Sequence, residues 1–321
     1  MDYHLNKRAM EQVNAIIREQ DRLQVAVHDL PRGGHAIDCG LEVEGGLDAG
    51  LAMARVCMAD LAEVTLNLSE LYGWPIPVVQ VATDHPVAAC MYAQYAGWQL
   101  MSNGTFYGMG SGPMRAIAAR EPLFDILGYQ EQSETAIGVV EGRQLPDQGM
   151  MQCLRDQIGD DHVQVHLLVA PTASQAGTVQ VVARSVETCL HKLMELNFDL
   201  GCIQSAVGTA PLPPVAKEDM EAIGRTNDAI LYGGRVILWV RTEDDIICEL
   251  GPLVPSVASS DYGVPFIDIF ERYNRDFYKI DPKLFSPAEV VFQNLSSGRS
   301  FRFGGLKPEV LKDSFLGQSL A

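Results

Sequence analysis

Two residues of opposite charge, Arg184 and Glu187, lie in an otherwise apolar stretch and are the residues best suited to proton transfer. Their three-residue spacing places both side chains near one face of a helix. A neighbouring guanidinium lowers the pKa of a carboxyl group, whereas burial raises it, so such a pair can be poised to exchange a proton. The same spacing also fits a surface ion pair worth only about 0.2–0.5 kcal/mol, and both interpretations stay open at this point.

The segments around this pair predict how it is positioned. Residues 166–170 (HLLVA) form a short apolar run that Pro171 stops, as expected of a buried strand. Apolar positions then recur at helical spacing over residues 177–196, which predicts one long helix carrying both charged residues. A similar order of apolar strand, proline-bearing turn and helix occurs over residues 78–100, so the chain contains a weak internal duplication.

A second candidate site is the glycine-dense stretch YGMGSGPMR at residues 107–115. Backbone N–H groups at the start of a helix after Pro113, with Arg115 in its first turn, would form an anion cradle. The stretch lacks the GK[ST] of a phosphate-binding P-loop and the glycine spacing of a dinucleotide fingerprint. A tight turn from a strand to a helix is the alternative interpretation.

Two further groups of residues have the chemistry of a binding pocket. A polar cluster at residues 225–228 (RTND) precedes the apolar strand predicted at residues 236–240, and it fits either a pocket wall or an Asx-type turn. Nearer the C-terminus, aromatic side chains and a lysine could stack on a flat heterocycle, although aromatics at such spacings also form hydrophobic cores. These residues are Tyr262, Phe266, Tyr278 and Lys279.

Composition narrows the class of protein. The 321 residues carry 24 Lys and Arg against 41 Asp and Glu, a net charge of −17, which argues against a nucleic-acid surface and suits a cationic ligand. Seven scattered cysteines and seven histidines lack metal-ligand spacing, so we expect neither a metal site nor a disulfide framework. The sequence contains no run of about 18 apolar residues and no signal peptide, which predicts a cytoplasmic protein without a membrane segment.

The predicted architecture is an α/β fold of mixed, α+β-like character. We expect two similar, intertwined α/β domains with a cleft between them, because the strand–turn–helix pattern occurs twice and no low-complexity linker separates the copies. The first domain is predicted over residues 1–90 plus about 255–321. The second is predicted over about 91–254.

Several segments, in order along nearly the whole chain, resemble the methenyltetrahydromethanopterin cyclohydrolase family. They are IDCG at 37–40, AQYAGW at 93–98, GMGSGPMRA at 108–116, APTAS at 170–174, VARSVETCLHK at 182–192, GRTNDAILYGGRV at 224–236, DYGVPFIDIF at 261–270 and DFYKIDPKLFSPAEV at 276–290. The two longest motifs are the most specific. The sequence departs from the family at residues 58–60, where Met-Ala-Asp replaces a pair of glycines.

The resemblance implies reversible hydrolysis of N5,N10-methenyltetrahydromethanopterin, or its dephospho form, to the N5-formyl coenzyme in one-carbon metabolism, including formaldehyde oxidation in methylotrophs. It implies Glu187 as the acid and base that acts on water and Arg184 as the residue that orients and tunes it. The pterin coenzyme is then the substrate, with no separate cofactor and no metal, and the chain is expected to form a homo-oligomer, in some members of the family a trimer. Expected substrate contacts are Gln94, Gly110, Ser111, Gly112, Thr172, Ser174, Arg225, Thr226, Asn227, Asp228, Tyr232, Tyr262, Phe266, Tyr278 and Lys279.

Two other functions remain open from the sequence. A catalytically idle pterin-binding or scaffold homologue could keep the fold, but it could lose the Arg184 and Glu187 pair that this chain retains. A folate-type methenyl cyclohydrolase would catalyse the same bond cleavage on a coenzyme with a different tail.

Overall fold

The computed structural model describes residues 2–95, 98–102 and 105–317, without the side chains of Ser102, Thr105, Phe106 and Tyr278. The described residues form twelve strands. In chain order these are β1 (Ala26–Asp29), β2 (Gly34–Asp38), β3 (Glu63–Leu71), β4 (Trp74–Thr83), β5 (Trp98–Ser102), β6 (Thr105–Ser111), β7 (Thr135–Gly142), β8 (Gln164–Ala170), β9 (Ile203–Pro211), β10 (Arg235–Val240), β11 (Glu289–Asn294) and β12 (Ser300–Gly304).

Twelve α-helices accompany these strands in the described part of the chain. They are α1 (Leu5–Arg18), α2 (Gln20–Leu23), α3 (Leu47–Cys57), α4 (Met114–Ala118), α5 (Pro122–Leu127), α6 (Gln148–Ile158), α7 (Gln175–Val182), α8 (Ser185–Glu195), α9 (Asp219–Gly233), α10 (Asp244–Leu250), α11 (Phe266–Arg272) and α12 (Pro308–Leu316). Residues Val87–Gln94 form a π-helix. Short 3-10 turns occur at Leu200–Cys202, Gly251–Leu253, Ser256–Ala258, Phe277–Lys279 and Pro282–Leu284. None of the helices described is long and apolar enough to cross a bilayer.

The chain divides into two compact units, each built from two separate segments and each containing one six-stranded mixed sheet. The first unit comprises Met1–Ala62 and Ala88–Gln180, and the second comprises Glu63–Val87 and Val181–Ala321. The mixed α/β class with two similar units is confirmed. The predicted domain ranges, 1–90 plus about 255–321 and about 91–254, group the segments differently, because β3 and β4 pair with β9 and not with β1 and β2.

The first unit orders its strands β1-β2-β8-β7-β6-β5. The three central strands β2, β8 and β7 run parallel, so their carboxyl ends meet at one edge of the sheet. Helix α1 packs on this sheet through an apolar stripe of buried residues at helical spacing, Ala9, Val13 and Ile16. The predicted strand β8 is confirmed, and β1 and β2 form an antiparallel hairpin.

The second unit orders its strands β12-β11-β10-β9-β4-β3 and is antiparallel except for the pair β10 and β11. Helix α8 packs against β9 and β10. Helix α9 packs against α11 and α12. Residues 241–251, whose acidic composition predicts an exposed hairpin turn, instead contain helix α10.

Three other predicted elements differ from the structure. The helix expected over residues 177–196 is two helices, α7 and α8, interrupted at Ala183 and Arg184. The helix expected over residues 87–100 is the shorter π-helix, and the chain is in strand β5 from Trp98. Most of the predicted glycine-rich loop, residues 108–111, belongs to strand β6. Periodicity misses these breaks because tertiary packing decides where a helix ends.

The departure from the family at residues 58–60 falls on a strained turn after α3. Ala59 and Asp60 both adopt left-handed backbone conformations, with φ of 55° and 53°. Glycine adopts such angles without steric cost, whereas each residue with a Cβ atom costs about 1 kcal/mol or more. Ala59 and Asp60 therefore adopt the backbone conformation that a pair of glycines would adopt without strain.

Candidate active site

The predicted catalytic pair lies at the start of helix α8. Arg184 directly precedes the helix with φ −92° and ψ 11°, and Glu187 lies in its first turn. Their exposed fractions are 5% and 7%, so they are not a surface ion pair. The partial positive charge at a helix N-terminus favours a negatively charged side chain in the first turn. A buried guanidinium and a buried carboxyl group thus lie at the start of α8. The single helix predicted over residues 177–196 is broken just before this point.

A glycine of strand β9 sets how closely this helix approaches the sheet. A Cβ atom added to Gly208 would lie 2.5 Å from Ser185 Oγ and 2.7 Å from Val186 Cγ2. Ser185 and Val186 are 1% and 0% exposed. The first turn of α8, which carries Glu187, therefore rests directly on the backbone of β9.

In the first unit, two predicted contact residues meet at the carboxyl edge of the parallel strands. Thr172 and Ser174 follow β8, and Thr172 Oγ1 donates a long hydrogen bond of 3.5 Å to Glu141 Oε2 at the end of β7. Asp38, at the end of β2, accepts hydrogen bonds from the N–H groups of Gly40, Leu41 and Glu42. This edge is where open α/β sheets usually bind ligands.

Ser174 also has a structural role at this edge. Its hydroxyl donates to Pro171 O at 2.8 Å and accepts from Gly177 N at 3.0 Å, which caps the N-terminus of α7. A Cβ atom added to Gly40 would lie 3.0 Å from the same hydroxyl. The two loops that follow β2 and β8 are therefore closely packed around Ser174.

Three other predicted contacts form a separate buried cluster in the first unit. Ser111 Oγ lies 3.2 Å from Cys57 Sγ and donates to Val139 O at 3.2 Å. The Cys57 thiol also lies 4.0 Å from the backbone oxygen of Gln94, and Gly112 N donates to Ala93 O. Ser111 pairs with Val139, within β7, so it does not lie at the edge that carries Thr172.

The role predicted for Arg115 in an anion cradle is wrong, whereas a cradle of backbone N–H groups after Pro113 stays a prediction. Gly110 belongs to strand β6, where an added Cβ atom would lie 3.0 Å from Leu100 Cδ1, so close packing accounts for this glycine. Helix α4 has only five residues. Arg115 is fully buried: its Nε donates to Glu121 at 2.6 Å, and its guanidinium lies 4.8 Å from the ring centre of Tyr95. Gly112, with φ 95°, is the tight turn from strand to helix.

Removing the counter-charge of Arg115 is expected to destabilise the first unit. We expect Glu121→Gln to lower the free energy of unfolding by about 1–3 kcal/mol, because the buried guanidinium loses a charged hydrogen bond. The matched control is Glu19→Gln, since Glu19 and Arg22 also lie 2.6 Å apart but are 50% and 59% exposed. Urea unfolding of both variants measures the difference, and equal effects would contradict a structural role for the buried pair.

The polar cluster at residues 225–228 lies within helix α9, so the predicted Asx-type turn is wrong. Arg225 pairs with Glu221 one helical turn earlier at 2.6 Å, and Thr226 and Asn227 donate to carbonyl oxygens of Ala222 and Ile223 in the same helix. Asp228 Oδ1 accepts from Phe266 N, the first residue of α11. These contacts mainly hold helices together, and a pocket wall at this point stays a prediction.

The aromatic residues divide into a group around Tyr262, in which Tyr262 is partly exposed and Tyr232 is fully buried, and a core group around Phe266. Tyr232 donates to Val264 O, and its ring centre lies 5.1 Å from that of Tyr262. Lys307 Nζ lies over the Tyr262 ring at 4.9 Å. Phe266 is fully buried among Phe270, Phe277 and Phe285, so it belongs to the core and is wrongly predicted as a stacking surface. Lys279 is exposed and pairs with Asp276, while the side chain of Tyr278 lies outside the described residues.

Asp228 should make the stability of the second unit depend on pH. Burial raises the pKa of this carboxyl group from 3.8 to about 7. The folded chain thus holds the proton more tightly than the unfolded chain, so its contribution to stability is complete below pH 3.8 and is lost as the pH rises to about 7. Between pH 5 and 8 the loss is on the order of 2–3 kcal/mol.

The variant Asp228→Asn keeps an oxygen acceptor for Phe266 N–H and removes the titration. We expect its unfolding free energy to rise relative to wild type between pH 5 and 8, as measured by urea unfolding at each pH. The exposed Asp245→Asn in α10 is the control and should keep the wild-type slope. An Asp228→Asn variant with the wild-type slope would show that Asp228 is not the titrating group.

The structure adds residues that sequence reasoning missed. Asp38 and Glu141 join Thr172 and Ser174 at the strand edge, and Gly208 supports α8. The signal for the two carboxylates is their position at the ends of two apolar segments, because polar residues converge where the carboxyl ends of parallel strands meet. Among the described residues, no group of three or more Asp, Glu, His or Cys side chains is arranged to hold a metal ion.

Comparison with known proteins identifies the family. Residues 4–315 match the family model described as Cyclohydrolase (MCH). Proteins named methenyltetrahydromethanopterin cyclohydrolase are similar over most of both chains. The one from Methanosarcina barkeri is 40% identical over 314 residues, 97% of this chain and 98% of that protein. The one from Rhodopirellula baltica is 45% identical over 291 residues, covering 88% and 86%, and the one from Methylobacillus flagellatus is 41% identical over 304, covering 94% and 92%.

The match is not confined to one part of the fold. The matched residues 4–315 include every strand of both sheets and both residues of the predicted catalytic pair. A shared single domain or a shared motif would not extend over both units. This chain therefore belongs to the methenyltetrahydromethanopterin cyclohydrolase family.

Proposed function

We propose that this chain catalyses the reversible hydrolysis of N5,N10-methenyltetrahydromethanopterin, or its dephospho form, to N5-formyltetrahydromethanopterin. The observation that carries the proposal is the family match over residues 4–315, together with relatives about 40% identical that bear this name. The reaction belongs to one-carbon metabolism. The proposal includes a cytoplasmic location and a homo-oligomer, with a trimer as one form the resemblance implies.

The substrate's chemistry defines what the site must do. The methenyl carbon bridges two nitrogens and shares their positive charge, so it is already electrophilic towards water. Water oxygen bonds to this carbon and gives up one proton; the bond to N10 then breaks as N10 takes a proton and the hydroxyl proton leaves. The sum is the formyl coenzyme and one released proton, and no electron is transferred. The proposal therefore includes no redox cofactor and no metal.

Glu187 is the proposed acid and base for both steps. As a carboxylate it takes the proton of the attacking water, and as a carboxylic acid it returns that proton to N10, so one group serves both steps. Its burial at 7% exposure supports the role, because a carboxyl group shielded from bulk water retains a proton between the two steps. Arg184, at 5% exposure and three residues earlier, is the proposed orienting cation.

Fewer residues are proposed to contact the substrate than the sequence predicts. Thr172 and Ser174, with Glu141 beside them, are proposed to bind the coenzyme at the strand edge, where the buried Asp38 holds the loop that follows β2. The acidic residues of this edge and a net charge of −17 favour a cationic substrate. Arg115 and Phe266 are excluded from this role because both are fully buried in structural contacts.

Loss of the methenyl chromophore tests the function directly. The purified chain is mixed with methenyltetrahydromethanopterin or with methenyltetrahydrofolate, and the absorbance is followed with time. We expect rapid loss with the methanopterin form and little above the uncatalysed rate with the folate form. Equal rates would assign a folate-type cyclohydrolase, and no acceleration with either coenzyme would assign an idle homologue; either result would overturn the proposal.

A further inference from the structure

A pocket lies in the second unit, where β3, β4, β9, β10 and α12 all contribute lining residues. Its volume is about 260 Å³, and the residues that line it all belong to this unit. Thr209 and Arg235, which pair across β9 and β10, are among its polar residues. The apolar lining consists of Leu71, Ile76, Val78, Pro211, Leu306 and Leu311. A mainly apolar hollow with a few polar groups is the usual form of a small-molecule site.

The pocket and helix α8 lie on opposite faces of the sheet. A Cβ atom added to Gly208 would meet atoms of α8, so this position of β9 faces the helix. Successive side chains of a strand point to opposite faces, so Thr209 points away from α8. Arg235, its partner in register, points to the same face as Thr209. The polar residues of the pocket are therefore turned away from the helix start that carries Glu187.

The apolar lining limits the size and shape of a ligand. Leu71, Ile76 and Leu311 are 8%, 8% and 2% exposed, so the floor of the pocket belongs to the packed interior. A dry cavity of about 150 Å³ is enough to hold benzene. A pocket of about 260 Å³ therefore has room for a flat body of about two fused rings.

An unbalanced positive charge lies beside this floor. Arg302 donates two hydrogen bonds to Glu289 Oε2, so this carboxylate already has a guanidinium partner. Arg235 reaches only the other oxygen, and its Nε lies 3.5 Å from Oε1, which is longer than a normal hydrogen bond. Two guanidinium groups thus share one carboxylate, which leaves one positive charge in excess at this end of the pocket.

The acidic residue in the lining does not cancel this charge. Glu70 Oε1 accepts a hydrogen bond of 3.2 Å from Gly73 N in the turn between β3 and β4. Three strand spacings of about 4.8 Å separate β3 from β10, so the backbones of Glu70 and Arg235 are about 14 Å or more apart. Salt largely screens exposed charges at such a distance. An anion is therefore favoured at the Arg235 end of the pocket.

We propose that this pocket binds a small aromatic carboxylate. The flat rings lie on the apolar floor, and the carboxylate pairs with Arg235, whose planar N–H groups match its two oxygens. Thr209, partly exposed on the neighbouring strand, donates its hydroxyl to the same carboxylate. A ligand with one negative charge balances the single charge in excess, whereas a phosphate dianion would exceed it. The pocket adds a binding function to the hydrolysis proposed above.

Isothermal titration calorimetry with two matched probes tests the role of charge. The probes are 2-naphthoate and its neutral amide, 2-naphthamide, which share the same rings. We expect the wild-type chain to bind one naphthoate per pocket with a dissociation constant below about 1 mM, the range for a ligand of this size. Naphthamide should bind about ten-fold more weakly, because it lacks the charge that pairs with the guanidinium.

The variant Arg235→Gln separates the charge from the apolar floor. It should weaken naphthoate binding by about ten-fold and leave naphthamide binding unchanged. The matched control Arg22→Gln removes a guanidinium of similar exposure, 59% against 54%, from the first unit and should bind both probes like the wild-type chain. Equal affinity of the wild-type chain for the two probes, or equal weakening of both by Arg235→Gln, would overturn the carboxylate assignment.

Filling the pocket tests where the probes bind. Val78→Phe places a ring in the lining and should weaken the binding of both probes by at least about ten-fold. The control Val291→Phe makes the same change at a partly exposed position of β11 outside the lining and should bind normally. Circular dichroism establishes that both variants are folded. No pterin coenzyme is present, so the result is independent of the proposed hydrolysis. A wild-type chain that does not bind naphthoate, or a folded Val78→Phe chain that binds it normally, would overturn the site.

Discussion

Replacing Glu187 with Gln is expected to slow turnover of the methenyl coenzyme by about 10²- to 10⁴-fold, the usual contribution of a positioned acid and base. Glutamine keeps the size and hydrogen-bonding atoms of the side chain but cannot take a proton from water or return it to N10. Because the side chain is buried at the first turn of α8, bulk water does not readily replace its role. Absorbance loss at saturating and limiting coenzyme gives kcat and kcat/KM separately.

The same helix provides the matched control for this prediction. Glu195 lies in the last turn of α8, and its side chain is 37% exposed, so Glu195→Gln removes a carboxylate from the same helix without touching its start. It should keep near-normal turnover. A pH profile adds a second readout, because the limb that belongs to the general base should disappear in the Glu187 variant. Near-normal turnover of Glu187→Gln would eliminate Glu187 as the base.

Replacing Gly208 with Ala is expected to lower kcat by about 10²-fold, although Gly208 is not proposed to contact the substrate. The added methyl group would lie 2.5 Å from Ser185 Oγ and 2.7 Å from Val186 Cγ2, so the first turn of α8 must move away from β9. A displacement of about 1 Å at a catalytic group can cost two orders of magnitude in rate. Overpacking should also lower the free energy of unfolding by about 1–3 kcal/mol.

Two further variants separate displacement of the helix from a general loss of stability. Gly305→Ala is the control, because an added Cβ atom there meets nothing within 4 Å, and it should leave kcat unchanged. Ser185→Ala combined with Gly208→Ala removes the nearest clashing atom and should recover part of kcat. If the Gly208 variant loses stability while its kcat and pH profile stay normal, the glycine is structural and does not position Glu187.

Local residue patterns were sufficient to predict several parts of this fold. The apolar spacing of α1, the alternation of β1, and the apolar run before Pro171 each predict the element that the structure contains, because short-range sterics and burial of one face decide them. The resemblance of whole motifs, such as GRTNDAILYGG and DFYKIDPKLFSPA, indicated the family, which the match over residues 4–315 confirms.

The environment of each candidate residue could not be predicted in the same way. Arg115 and Phe266 have the residue types of a binding site, but both are fully buried, one by Glu121 and carbonyl oxygens and the other by aromatic rings. The glycines at 108 and 110 suggested a loop and lie in a strand, because a close neighbour and not a turn requires them. The residue type limits the chemistry that a side chain can perform, and the surrounding residues decide whether it binds a ligand or packs in the core.

Residue patterns and motifs alone were enough to predict the mixed α/β class, the acidic character, the family and the candidate pair Arg184 and Glu187. Three features became visible only in the folded chain: the helix breaks at Arg184, the first turn of the next helix, which carries Glu187, rests on Gly208, and β3 and β4 join the sheet of the second unit. The difference follows from the range of the interactions involved. Helix and strand patterns depend on neighbours within a few residues, whereas breaks, sheet membership and burial depend on contacts between residues distant in sequence.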